Sequence, residues 1–463
     1  VTISALTVGT AATGNNASVT PGTPSGLAEG DLMLIYAAIR NNGVGTVNTP
    51  TGWVALGDTG NTKWLGRYFQ TGDVMPLITF TGGVANADTY ARALKMRGTA
   101  KDVLTEESPA SATATGAQNI STPARDVLGA DHMLVLGAWK KDDATSLSTP
   151  AGFTAQGLTN MTTGDDMLAA LFTSLQTTET DIASGSITVT GGAVADSSSM
   201  LLSIKAAPTI TITQFDLFPP RALVTVTGLD LDDDVTIYRT VDGERAALRG
   251  GTLDGATDPS FLVVDGELPF GESIYYAVMI NGAEYTTSAF TVDLPGGKPV
   301  LSDAITGDSS QFVIAAWNEK EYDLDSSLFK VGGRNVVVSG DVGMFTSAIE
   351  IFFEAYSSTP QFLALLNSAT EGVLQLRRPS PSYDGVNCYI SVTSARETRY
   401  SQDGSDGRRM WVLQVSETDP WSDLLVALGF TWGDVETFYT GLTWDDLEDD
   451  HATWLALNQA DLS

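Results

Sequence analysis

The sequence predicts a mainly β chain: a multidomain string of β-sandwiches, then a small β-barrel domain, then a short α-helical C-terminal region. Three observations lead there. Apolar runs are short, rich in β-branched and aromatic residues, and punctuated by Gly, Pro, Asn and Asp. Residues 1–207 repeat themselves. The last stretch changes to helical spacing, with acidic residues near the expected helix starts.

Composition sets the limits. A chain of 463 residues with 43% hydrophobic and 17% charged residues has room for three or four domains with real cores. Its net charge is −31, from 56 acidic against 25 basic residues. That balance argues against nucleic acid and anionic membrane surfaces as partners, because phosphate binding needs a basic face. Cys388 is the single cysteine, so no intrachain disulfide is expected and burial must hold the fold. The opening VTISALTVGTAATGNN has no basic start and no long apolar run, so it does not read as a signal peptide. No stretch approaches the roughly 20 apolar residues of a membrane helix, so membrane insertion is not expected.

The repeat defines the first domain. GDLMLIYAAIR from Gly30 matches ADHMLVLGAWK from Ala130, and NTPTGWVALG from Asn48 matches STPAGFTAQG from Ser148, both at an offset of 100 residues. TGGVANADTYARALKM from Thr81 is answered by TGGAVADSSSMLLSIK from Thr190. Residues 1–207 therefore read as two related β-sandwich units, about 1–107 and 108–207, or as one sandwich with internal pseudo-symmetry. Residues 208–297 read as a smaller sandwich of fibronectin type III style, with RALVTVTGL, DDVTIYRTV and SIYYAVMI as alternating strands. LPGGKP, Leu294 to Pro299, reads as a linker. Residues 298–417 hold further strands and one helix in STPQFLALLNSA, where Phe362, Leu365 and Leu366 share a face. Residues 418–463 read as three short acidic helices, with Asp419 as an N-cap and Pro420 in the first helical position.

Catalytic chemistry is hard to assemble from these residues, and no enzymatic activity or cofactor is expected. There are two histidines. His132 aligns with Leu32 in the repeat, which favours a structural role, and His451 has no Cys or His neighbour in sequence. HExxH, CxxC and GxSxG patterns are absent. The acidic run LDLDDD, Leu229 to Asp234, offers oxygen ligands for calcium but lacks EF-hand spacing, so a solvated turn is the expected reading. Among aromatics, Trp53 and Phe153 are equivalent in the repeat. With Trp64 they are candidate glycan-contact rings; Tyr68 and Trp139 are weaker candidates.

The order of motifs after residue 208 carries a resemblance. VTIYRTVDGERAALRGG and VDGELPFGESIYYAV come first. RNVVVSGD, FLALLNSATEGVLQLRRP, CYISV and RRMWVLQVSETDPW follow. TWGDVETFYTGLTWDDLEDDHATWLAL closes the chain. This arrangement resembles minor tail proteins of long-tailed phages of actinobacteria, over roughly residues 208–463. The resemblance implies a virion structural protein at the tail tip or on a side fibre, made in the host cytoplasm. It implies other phage tail proteins as partners, a host-surface glycan as a target of attachment, and a homo-oligomer, with a trimer favoured by analogy. Trp421, Trp432, Trp444 and Trp454 are spaced by 11, 12 and 10 residues and are the candidate tail-docking anchors, set against folding back on the chain's own barrel domain. A secreted bacterial carbohydrate-binding or carbohydrate-active protein with accessory sandwiches is the alternative.

Overall fold

The computed structural model describes residues 3–425 apart from 16–17, 41–44, 83–85, 128–130, 143, 163–164, 179, 216–217, 318, 332–333, 384–385, 402, 404 and 423–424. The chain is mainly β, with 55% strand and 5% helix, so nearly all packing is between antiparallel sheets.

The repeat folds as two copies of one sheet. The first runs in the order Ser4–Val8, Asp88–Arg97, Leu32–Ile39, Thr62–Tyr68, Val54–Asp58, with Ala12–Asn15 also pairing Asp88–Arg97. The second runs Ala110–Ala117, Ala195–Ile204, His132–Lys140, Met167–Gln176, Thr154–Met161. The order is the same, and the likeness reaches local detail: a register shift falls between Ala55 and Gly57 in one copy and between Ala155 and Gly157 in the other. A two-stranded accessory sheet recurs as well, Thr46–Val47 with Phe80–Thr81 and Ser146–Leu147 with Val189–Thr190.

The two copies pack face to face and share one core, so they form one body with internal pseudo-symmetry. Tyr36, Trp64 and Tyr90 from the first copy meet Met133, Val135, Trp139 and Met200 from the second. The opposite face of each sheet is closed by its own loops and accessory strands, giving separate clusters around Met33 and Ile35 and around Leu134 and Leu136. Both faces are therefore covered, which is why Leu32–Ile39 and His132–Lys140 are buried at every residue and read as continuous apolar runs instead of alternating ones. At the contact the Tyr36 ring lies over Gly137, where a Cβ would stand 2.6 Å from it.

Residues 208–297 form a sandwich. One sheet is Thr209–Phe215, Arg221–Thr227, Ser260–Asp265; the other is Glu244–Leu253, Val235–Val241, Ser273–Ile280, Ala283–Thr286, with Phe290–Thr291 also pairing Ser273–Ile280. Val224, Val226, Ile237, Phe270, Ile274 and Val278 fill the space between them.

After this, Val300 still belongs to the sandwich core while Leu301 belongs to the next. The segment Leu294–Pro299 is not a loose linker: Gln311 Nε2 donates to the carbonyls of Pro295 (2.8 Å) and Lys298 (3.0 Å), and Leu294 is buried. The last sheet has eight strands in the order Ser309–Gln311, Val300–Ser302, Leu374–Arg377, Cys388–Arg399, Arg409–Glu417, Arg334–Phe353, Val313–Ala316, with Lys320–Val331 pairing Arg334–Phe353. The expected barrel is not closed. Its edge strands are successive pieces of chain on either side of Phe312, with no ladder between them. Phe312 turns inward onto Phe353 and Phe362, and the helix Ser358–Ser368 caps the open side with Phe362 and Leu365.

Two expectations for the end of the chain are corrected. Asp419 to Ser422 run as irregular backbone, not as the start of a helix, because Arg249 takes the carbonyls of Trp421 and Ser422 that a helix would use. Trp421 is 1% exposed and packs on Ala304, Val373 and Tyr389 of its own chain. It is therefore not a surface anchor. Trp432, Trp444 and Trp454 lie outside the described residues, as does His451.

Candidate functional site

Two of the three expected glycan-contact rings, Trp53 and Trp64, are not at a surface. Trp64 is 0% exposed, lies 5.0 Å from the Tyr36 ring, and donates its indole N–H to Met200 O across the shared core. It is corrected to an inter-copy packing residue. Trp53, 7% exposed, closes a turn through its amide to Pro50 O and packs under the first sheet. Phe153 does the same with Pro150 and sits half-buried against the second core. Trp139 is buried, and the Tyr68 hydroxyl is spent on Ala100 O. The exposed rings among the described residues include Tyr322, Tyr356, Tyr383 and Tyr400, all in the last domain. No periodicity marked them, since each lies at a strand end or in a loop.

What the structure brings together instead are the motif residues of 235–421. They meet at the joint between the sandwich and the last domain. Arg239, on Val235–Val241, donates to Asp265 Oδ1 at 2.7 Å and to Glu267 O at 3.0 Å. Tyr276 O–H donates to the other Asp265 oxygen at 2.9 Å. Burial opposes the Arg239 charge, yet Asp265 outweighs it and holds the guanidinium above its ordinary pKa. Burial, then Asp265, push the Tyr276 phenol up. This set shapes the turn Asp265 to Leu268, and the turn is what the last domain grips.

The grip comes from two consecutive arginines. Arg377 is 1% exposed; its guanidinium donates to the carbonyls of Gly266 and Leu268, each at 3.1 Å, and to Ser302 Oγ at 2.9 Å. It also lies over the Phe270 ring at 4.7 Å. Burial, reinforced by Arg221, lowers its pKa to about 9. A planar fork with five donors can satisfy several acceptors at once, which a lysine in the same place could not. Arg378 pairs with Glu272, partly buried. Gly271, at φ +70°, lets the Pro381 loop close in: a Cβ there would meet Pro381 Cδ at 3.0 Å.

Glu267 gathers the remaining motifs. Its Oε1 accepts from Tyr389 O–H at 2.9 Å and from Arg249 at 3.3 Å. Arg249 then reaches the carbonyls of Trp421 and Ser422, with its guanidinium 6.0 Å from the Trp421 ring centre. Tyr389 meets Trp421 edge-on at 5.6 Å, and burial followed by Glu267 raises its phenol pKa. Cys388, the neighbour of Tyr389, is pushed up to about 11 by burial and is a poor nucleophile.

A second polar cluster joins the repeat body to the sandwich around a cavity of about 180 Å³. Ser203 Oγ lies 2.8 Å from His132 Nδ1, and His132 Nε2 lies 3.3 Å from Asp230 Oδ1. These are the members of a nucleophilic triad. Their surroundings make them a clasp. The Ser203 amide, the donor nearest the hydroxyl, is spent on Glu107 Oε1 at 2.9 Å, and Asp230 is shared with Lys205 at 3.2 Å. Lys205 also pairs with Asp233 at 2.5 Å, and Asn281 donates to Asp233 at 2.8 Å. Asp230 and Asp233 of the acidic turn thus form a socket for Lys205, while Leu231, Asp232 and Asp234 stand exposed as the solvated-turn reading expects. Among the described residues no group of three His, Cys, Asp or Glu side chains is placed to hold a metal ion. Burial pushes Glu107 up to about 7 against the pull of Arg125.

No family model, no curated protein and no solved structure matches this chain. Among the described residues no helix is long and apolar enough to cross a membrane.

Proposed function

We propose that the chain is a structural, non-enzymatic minor tail protein of a siphovirus-like phage, at the tail tip or on a side fibre, whose domains hold fixed positions for attachment to a host-surface glycan. One observation carries the reading: five of the motifs that resemble those tail proteins converge on a single joint, through Arg239 and Arg249, Asp265 and Glu267, Arg377, Tyr389, and Trp421. Residues that act as catalysts gather around an open cleft. These gather between two domains and direct most of their donors and acceptors across the joint, which suits a protein that transmits position. The fibronectin-like reading of 208–297 has in its favour a sandwich of two antiparallel sheets, one of three strands and one of five.

Peptide mass spectrometry of density-purified particles from the source culture, with immunogold microscopy using antibody against residues 1–207, tests the proposal. Peptides of this chain in the particles and gold at the tail tip or fibres are the expected result. Protein found only free in the medium or in cells contradicts it and favours the secreted carbohydrate-binding alternative.

A further inference from the structure

The last domain carries an arm. Strand Arg334–Phe353 pairs with Arg409–Glu417 only from Thr346 onwards, and with Val313–Ala316 only from Glu350 to Phe352. Its first twelve residues, 334 to 345, pair only with Lys320–Val331, which has no other strand partner among the described residues. At about 3.3 Å per residue this two-stranded ribbon extends roughly 40 Å past the sheet. An isolated ribbon of two strands is marginal in water, and both its edges are open to another strand.

Ring, cation and hydrogen-bond contacts hold the arm at its root. Lys320 lies 4.4 Å from the Trp317 ring centre and 4.3 Å from that of Phe345. Trp317 donates to Ser347 Oγ at 2.9 Å, and Tyr322 meets Phe345 edge-on at 6.0 Å. Beside the root opens a groove of about 370 Å³ lined by Glu319, Glu321, Glu350, Ser347 and Gln414. At the far end stand the exposed Lys330 and, opening the return strand, Arg334. One element therefore bears a basic tip and an acidic seat.

We infer that the arm of one copy docks against a second copy of this chain, its basic tip in the acidic groove beside the neighbour's arm root. Charge selects this occupant. The chain as a whole is at −31, so copies repel over most of their surface, but residues 320–345 hold three basic and four acidic residues. The sequence places two basic residues, Lys330 and Arg334, at the arm's far end, opposite in charge to Glu319, Glu321 and Glu350 of the groove. Tip and groove are different surfaces, so the contact is head-to-tail and closes a ring when the rotation allows. The exposed Tyr322 and Met344 at the root add apolar area to the seat. The inference holds whether or not the chain belongs to a virion, because its test needs only the pure chain.

Sedimentation velocity of the full chain across a concentration series tests it. The wild type is expected to assemble into one closed species. Lys330→Glu with Arg334→Glu is expected to weaken assembly roughly tenfold or more, as is Glu319→Lys with Glu321→Lys and Glu350→Lys. Both sets in one chain are expected to restore it, a readout that misfolded variants cannot produce. A wild type that stays monomeric throughout overturns the inference and leaves the arm to an unlike partner. Assembly indifferent to both reversals, or no restoration in the combined chain, overturns it equally.

Discussion

The two copies of the repeat and the last two domains are joined by opposite means. Between the copies the contact is apolar: Tyr36, Trp64, Tyr90, Met133, Val135, Trp139 and Met200 share one core. Between the sandwich and the last domain the contact is built on arginines, carboxylates and backbone carbonyls out of water, with Trp421 packed beside them. An apolar contact stabilises in proportion to area and tolerates small shifts in orientation. A buried polar contact gains little net stability over an apolar one, but it is costly to half-remove and demands one geometry. The first kind of joint makes a body; the second fixes an angle.

The largest expected effect strikes the apolar joint. Trp64→Ala should cost roughly 3–5 kcal/mol of unfolding free energy in the repeat body. Denaturant titration followed by fluorescence checks this, and the loss should be the same in low and high salt. A salt-dependent loss would mean that the copies are held by something besides packing.

The polar joint should behave differently in a double-mutant cycle. Asp265→Leu leaves Arg239 without its carboxylate, and Arg239→Met leaves Asp265 without its guanidinium. Each alone should cost roughly 3–5 kcal/mol, and the pair together distinctly less than their sum. Additive losses would sink the account of Arg239 and Asp265 as one unit.

Trp421→Ala should cost about 2–4 kcal/mol, because its ring fills the space between Ala304, Val373 and Tyr389. Loss of assembly with no loss of stability would return Trp421 to the role of an external anchor.

The smallest effect is one of pH, at the clasp. Glu107 has a pKa raised from 4.5 to about 7 in the folded chain. Between those values the folded state holds more protons than the unfolded state, so this group's contribution to stability falls as pH rises through that window. Relative to Glu107→Gln, the wild type should lose on the order of 2 kcal/mol from the bottom to the top of it. Parallel stability curves for the two chains across that range would contradict a buried, strained carboxyl.

The sequence made legible whatever depends on near neighbours. The offset of 100 residues between Gly30 and Ala130 shows the repeat, and Phe362 with Leu365 shows the helix. What it hid depends on distant pairing. In Leu32–Ile39 both faces are apolar, so nothing in the run says which face meets the second copy, and Trp64 passed for a surface ring. Arg377 binds carbonyls more than a hundred residues earlier in the chain, at Gly266 and Leu268. His132 finds Asp230 only because the sandwich folds back on the repeat. LPGGKP has the composition of a linker and is pinned by Gln311, whose position no local pattern gives. The runs VTIYRTVDGERAALRGG and FLALLNSATEGVLQLRRP carry the resemblance as strings; the chemistry of Arg239, Arg249 and Arg377 within them appears only with their partners in place.

The central claim is that the joint of Arg377, Arg378, Glu267 and Glu272 fixes one angle between the last two domains. The most direct test is a pulsed electron-spin distance measurement between labels on Asp242→Cys and Asp403→Cys in a Cys388→Ser background, where both labelled positions are exposed. The account predicts a single narrow distance in the otherwise native chain, broadened when Glu267→Ala and Arg378→Ala are added. A broad distribution in the native joint, or a narrow one that survives both substitutions, would contradict it.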